Sequence, residues 1–174
     1  MAQGTETKLL YFAYGSNMLT RRLCAPTRTP SAVAVSTGYV AGRRLTFDKV
    51  SKDGTGKCDA EATGRTTDRT YGVLFEIAAS EKPALDRSEG LNKGYREENV
   101  TVATPVGDRE AFTYIATAKE LALCPYHWYK ASVIAGAVEH GLPQPYIEWL
   151  RAFHSKADPD AKRRAENESL LFGS

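Results

Sequence analysis

The chain lacks the marks of several functional classes. Its three cysteines, Cys24, Cys58 and Cys124, are widely spaced. They form no CxxC pair and, being odd in number, cannot all pair internally, so a reducing compartment fits better than a disulfide scaffold. Its three histidines, His127, His140 and His154, stand at no metal-ligand spacing, and no metal site is expected. No cysteine has a histidine near it in sequence, so the chain shows no Cys-His nucleophile pattern; buried filler is the reading for the thiols. No run approaches the ~20 apolar residues that a membrane helix needs, and the first 15 residues carry no secretory h-region. The formal net charge is only +2, with both signs mixed along the chain. The basic clusters at 42–44 and 162–164 are too short and diluted to read as a nucleic-acid stripe. There is no internal repeat and no low-complexity segment. These absences lead us to expect a cytoplasmic protein with a small-molecule partner, as monomer or homodimer, without nucleic acid or membrane.

What remains is an ordinary globular composition, 42% hydrophobic and 25% charged over 174 residues. That length suits one domain that buries its own core, with the core over about 8–153 and a charged tail at 154–174. Residues 8–14, KLLYFAY, are nearly continuous in apolarity and predict a strand buried on both faces. A short helix follows, with Ser16 or Asn17 as its cap. Two strands are expected over 29–40 and 44–50, a loop at 51–57 and a weak strand over DAEAT. TYGVLFEI, 70–77, predicts a strand with Tyr71, Val73, Phe75 and Ile77 on one face. SEKPALDRSEG then predicts a helix capped by Ser80 and stopped by Gly90. EENVTVATP and REAFTYIAT predict an antiparallel pair joined through PVGD. A largely apolar helix over about 126–140 stops at Gly141. A second, over QPYIEWLRAF, starts near Pro145. The tail predicts an exposed helix or partial disorder. Strands precede the major helices, so the fold class is α+β, with a mostly antiparallel, barrel-like sheet and flanking helices.

Two stretches carry chemistry. In YFAYGSN, residues 11–17, an aromatic strand ends in Gly15, Ser16 and Asn17. Gly15 permits unusual backbone angles and close approach of a ligand. A helix starting there would aim free N–H groups back over the strand end, where they would favour a carboxylate or an oxyanion. A capped turn has the same composition, so both readings stand. The second stretch is LDRSEGLNKGY, residues 85–95, where Glu89 precedes Gly90 and Tyr95 follows another glycine. A helix C-terminus disfavours a carboxylate. Glu89 is therefore either an ordinary solvated residue or a group kept for acid–base work.

Together and in this order, these stretches resemble the gamma-glutamylcyclotransferase family. The first match is YFAYGSN. The second is YGVLFEI, LDRSEG and the GY at 94–95, and the third is YKASVIAGAVEHGLP. The resemblance spans about residues 8–150. It implies a compact mixed β-barrel with helices around it, and cleavage of a γ-glutamyl amide to 5-oxoproline and a free amine or amino acid, with no metal or organic cofactor. It assigns Glu89 as the catalytic carboxylate and the run from Tyr11 to Ser16 to the substrate. Tyr11, Tyr14, Gly15, Ser16, Asn17, Tyr95 and Tyr129 are the implied substrate-binding residues, with packing as the other role open to Tyr14 and Tyr129. The leaving amine is left open between an amino acid, a dipeptide, a lysine ε-amine and other amines. The alternative from another class is a non-catalytic sensor of an acidic metabolite on the same fold. Glu89 argues against it, because a carboxylate repels an acidic ligand.

Overall fold

The structure is a computed structural model that describes residues 6–172. Seven strands and five α-helices follow in the order β1 (Lys8–Ala13), α1 (Thr20–Leu23), β2 (Val33–Ala41), β3 (Arg43–Val50), β4 (Gly56–Ala62), β5 (Arg69–Ala78), α2 (Lys82–Glu89), β6 (Tyr95–Thr104), β7 (Gly107–Ala116), α3 (His127–Glu139), α4 (Gln144–Arg151) and α5 (Ala161–Phe172). Five strands close a barrel in the order β1-β5-β2-β6-β7, and β3 with β4 forms a separate two-stranded sheet. The α+β class with a mixed, mostly antiparallel barrel is the expected one.

The barrel closes at a thin seam. β1 and β7 run parallel and share one paired position, Tyr11 with Phe112. Side chains extend the seam: the Thr113 hydroxyl donates to the Phe12 carbonyl at 2.7 Å, and the Tyr14 hydroxyl donates to the Tyr114 carbonyl. Phe12, Val73, Leu74, Phe75 and Ile77 fill the core, each at most 1% exposed. Val73, Leu74 and Phe75 are buried in succession. Val73, Phe75 and Ile77 are buried on the face read from the sequence, and the opposite face is covered too, which buries Leu74.

α3 reaches the end of β1 through a close approach. A Cβ at Gly136 would lie 2.5 Å from the Leu19 nitrogen and 2.6 Å from the Met18 side chain. Only a glycine lets the helix sit directly on the turn after β1, and Tyr129, seven residues earlier on α3, lies about two turns away on the same face. α3 is largely apolar and ends before Gly141 in the left-handed region (φ 66°), as read from the sequence.

Several local expectations are corrected. Gly56 and Lys57 belong to β4, so the loop ends at Thr55. Ser80 does not cap α2; it lies in a 3-10 turn, and Glu81 precedes the helix without a side-chain cap bond. Neither Ser16 nor Asn17 caps by side chain, because both are inside a 3-10 turn, Ser16–Met18, that leads into α1. The tail from residue 161 to 172 is a helix with no buried residue. It is held by a polar anchor ahead of it. Asp158, 1% exposed, accepts from the Trp128 indole at 2.8 Å and from Arg163 at 2.6 and 2.7 Å. That guanidinium holds the Asp158 carboxyl well below the usual carboxylate range. Among the described residues, no helix is long and apolar enough to cross a membrane.

Candidate active site

A polar cavity of about 310 Å³, its mouth included, opens where β1 ends. All eight site residues expected from the sequence line it: Tyr11, Tyr14, Gly15, Ser16, Asn17, Glu89, Tyr95 and Tyr129. They come from four separate elements: the strand β1 with its following turn, the C-terminus of α2, the start of β6, and α3.

The turn after β1 works by space rather than by unusual backbone. Gly15 has φ −112°, so the expected need for angles that other residues resist does not hold. Instead a Cβ there would lie 3.1 Å from the Cys58 Cβ and 3.5 Å from the Tyr129 hydroxyl. The turn is pressed against β4 and α3. Its internal bonds run from Met18 N–H to the Gly15 carbonyl and from Leu19 N–H to the Ser16 carbonyl. The Ser16 and Asn17 N–H groups have no acceptor among the described residues, as expected for donors that open a helical turn. Both residues are buried, at 8% and 4% exposure.

Glu89 is the last residue of α2, and Gly90 with φ 74° ends the helix there. The carboxylate meets the turn directly. Its Oε1 accepts from the Asn17 amide and lies 3.3 Å from Arg28 Nη1. Asn17 also donates to the Tyr11 hydroxyl at 3.2 Å. Arg28 reaches the Asn17 Oδ1 at 3.3 Å and the Ser88 hydroxyl at 3.2 Å. Glu89 is thus a fixed group, only 18% exposed, and not a freely solvated one.

Two tyrosines are tied to the backbone of one residue of β4, Cys58. The Tyr95 hydroxyl donates to the Cys58 carbonyl at 2.6 Å, and the Cys58 N–H donates to the Tyr129 hydroxyl at 3.1 Å. Burial pushes the Tyr11, Tyr14, Tyr95 and Tyr129 hydroxyls upward from the ordinary phenol range, so all stay protonated and serve as neutral hydrogen-bonding groups. Burial likewise pushes the Cys58 thiol up to about 12, which keeps it from acting as a thiolate nucleophile at neutral pH. Among the described residues, no three His, Cys, Asp or Glu side chains are grouped to hold a metal.

Four further residues were missed. Cys58, Thr113 and Tyr114 also line the cavity, and Arg28 pairs with Glu89. Thr113 and Tyr114 face the site only through the β1–β7 register, which no local pattern announces. Arg28 lies in an irregular turn, where periodicity is silent.

The AIG2-like family model matches residues 69–150, a stretch that contains Glu89, Tyr95 and Tyr129. A human gamma-glutamylcyclotransferase is 35% identical over 95% of this chain and 89% of its own length. A mouse gamma-glutamylcyclotransferase is 36% identical over 82% of this chain and 77% of its own. A solved gamma-glutamyl cyclotransferase superposes with a TM-score of 0.80 at 29% identity, covering 95% of this chain and 98% of that one. Identity at this level over nearly the whole length of both chains, with the same barrel, shows that the chain belongs to the gamma-glutamylcyclotransferase family.

Proposed function

We propose that the protein cleaves a γ-glutamyl amide by attack of the substrate's own α-amine on its γ-carbonyl. The new N–C bond closes a five-membered ring, the bond to the departing nitrogen breaks, and the products are 5-oxoproline and a free amine. The protein supplies no nucleophile, which agrees with the protonated Cys58 thiol.

The observation that carries this reading is the contact between Glu89 and the turn after β1, made through Asn17. It brings a proton acceptor beside two amide donors at one small cavity. In the proposal Glu89 takes the proton from the attacking α-nitrogen and returns it to the departing nitrogen. The Ser16 and Asn17 amides receive the γ-carbonyl oxygen or the α-carboxylate. Tyr11, Tyr14, Tyr95 and Tyr129 shape the walls and hold the glutamyl chain folded, so that amine and carbonyl meet; such positioning contributes several kcal/mol to rate. We assign the protein to the cytoplasm on its free cysteines, Cys24, Cys58 and Cys124.

The test is to block the nucleophile. A γ-glutamyl substrate acetylated on its α-nitrogen is expected to give no product, while the free-amine form gives 5-oxoproline by mass spectrometry. Release of N-acetylglutamate would mean that water attacks, and would overturn the mechanism.

A further inference from the structure

Lys57 is a shielded cation that stands behind the cavity wall rather than in it. Its side chain is only 14% exposed, and burial pushes its ammonium below the ordinary lysine range. Nζ lies 4.5 Å from the centre of the Tyr129 ring and 4.7 Å from that of Trp128. Lys57 does not line the cavity; Tyr129 does, and so does Cys58, the residue after Lys57 in β4.

The loop ahead of β4 pins this ammonium. It donates to the Asp53 Oδ2 at 3.0 Å and to the Thr55 hydroxyl at 3.2 Å. Asp53 in turn accepts from the Thr55 N–H at 3.0 Å and from the Thr55 hydroxyl, and Thr55 is fully buried. The loop is thus closed on itself around the lysine. An ammonium that has exchanged water for two oxygen acceptors and two ring faces is confined in position.

Each ring is also held by its polar atom. The Trp128 indole donates to Asp158 at 2.8 Å, the carboxylate that Arg163 fixes from the start of α5. The Tyr129 hydroxyl accepts from the Cys58 N–H at 3.1 Å and lies 3.5 Å from where a Cβ on Gly15 would stand. Tyr129 therefore reaches from Lys57 to the turn that carries the Ser16 and Asn17 amides. Its ring rests edge-on against Trp128, with centroids 6.0 Å apart. A shift of the ring would be passed to the turn, because close-packed interiors transmit displacement.

Resting on the cyclotransferase reading, we infer that Lys57 is a positioning residue for the reaction: it fixes the Tyr129 ring, and through the Tyr129 hydroxyl the turn after β1, without touching the substrate. Stability alone is a weak reason for a lysine at this place. A shielded ammonium–carboxylate pair is often no more stabilising than apolar side chains of similar volume, so a methionine would serve packing equally well. What a methionine lacks is the tie to Asp53 and Thr55 that keeps the side chain at one point over the two rings.

The test measures kcat and KM for 5-oxoproline formation from γ-glutamylalanine in the wild type, K57M and K57R, each corrected for folded protein by circular dichroism. K57M is expected to lose ~10–100-fold in kcat, since a misplacement of about 1 Å made away from the chemistry costs up to that much. K57R can still stack on both rings and pair with Asp53, and should keep kcat within several-fold of wild type. A K57M kcat within a few-fold of wild type would overturn the inference, and so would a K57R that loses as much as K57M. Should K57M not fold, K57Q replaces it under the same criteria. Failure of both to fold would make Lys57 a residue of the fold and would likewise overturn the inference. In all these cases the wild type still makes 5-oxoproline; a wild type that makes none removes the cyclotransferase reading itself, and this inference with it.

Discussion

Glutamine in place of Glu89 is expected to cost turnover ~10²–10⁴-fold, the usual effect of losing a general acid–base group. The reasoning starts from what the substitution leaves intact. Glutamine has nearly the same size and can still accept from Asn17. Arg28 loses its ion pair but keeps the Asn17 and Ser88 oxygens as acceptors. The pair is largely shielded, with side-chain accessibilities of 17% and 18%, so its loss costs some stability, while the two remaining acceptors keep the Arg28 guanidinium partnered. The fold and the cavity should therefore persist while the proton carrier is gone. Loss confined to kcat, with ligand affinity held or improved, is the signature of a group needed for the reaction itself. A Glu of no catalytic consequence would shift stability by only about ±0.5 kcal/mol and leave turnover alone. Glu89→Gln turning over within a few-fold of wild type would remove Glu89 from the mechanism.

The second large effect is expected at Gly15. Valine there starts with a Cβ 3.1 Å from the Cys58 Cβ and 3.5 Å from the Tyr129 hydroxyl, and its methyl groups reach further. Neither neighbour yields easily: Cys58 is held in β4, its N–H bonded to the Tyr129 hydroxyl and its carbonyl to that of Tyr95. The turn must move instead, and the Ser16 and Asn17 amides move with it. Overpacking of this kind costs ~1–3 kcal/mol of stability. Misplacing a donor to a developing oxyanion costs ~10²–10³-fold in kcat. A folded but nearly inactive Gly15→Val is therefore expected, with Gly15→Ala between it and wild type. Normal turnover by a folded Gly15→Val, verified by circular dichroism, would reduce the turn to a structural connection.

How much of this was legible in the sequence depended on the range of the interaction. β1, β5, the β6–β7 pair and the two later helices were readable because apolar runs and Gly and Pro punctuation are local signals. The helix starts were misread for a related reason. Ser16, Asn17 and Ser80 look like caps, but 3-10 turns carry the chain into α1 and α2 without side-chain bonds. The eight expected site residues do share one cavity, and it was the family resemblance, not spacing, that joined Glu89 to a turn 72 residues earlier. Thr113, Tyr114 and Arg28 stayed hidden because barrel closure and an irregular turn bring them in. The irregularity of β3 at Phe47 and Asp48 was equally invisible, since it exists only in the pairing of β3 with β4.

Whether the substrate's amine or water attacks the γ-carbonyl is the central question, and oxygen labelling tests it most directly. The protein is incubated with γ-glutamylalanine in water enriched in oxygen-18, and the glutamyl product is weighed by mass spectrometry. Attack by the α-amine retains the γ-carbonyl oxygen and both α-carboxylate oxygens and adds none from water, so 5-oxoproline without label, in amounts matching the alanine released, is the result this account predicts. Glutamate carrying one oxygen-18 would contradict it.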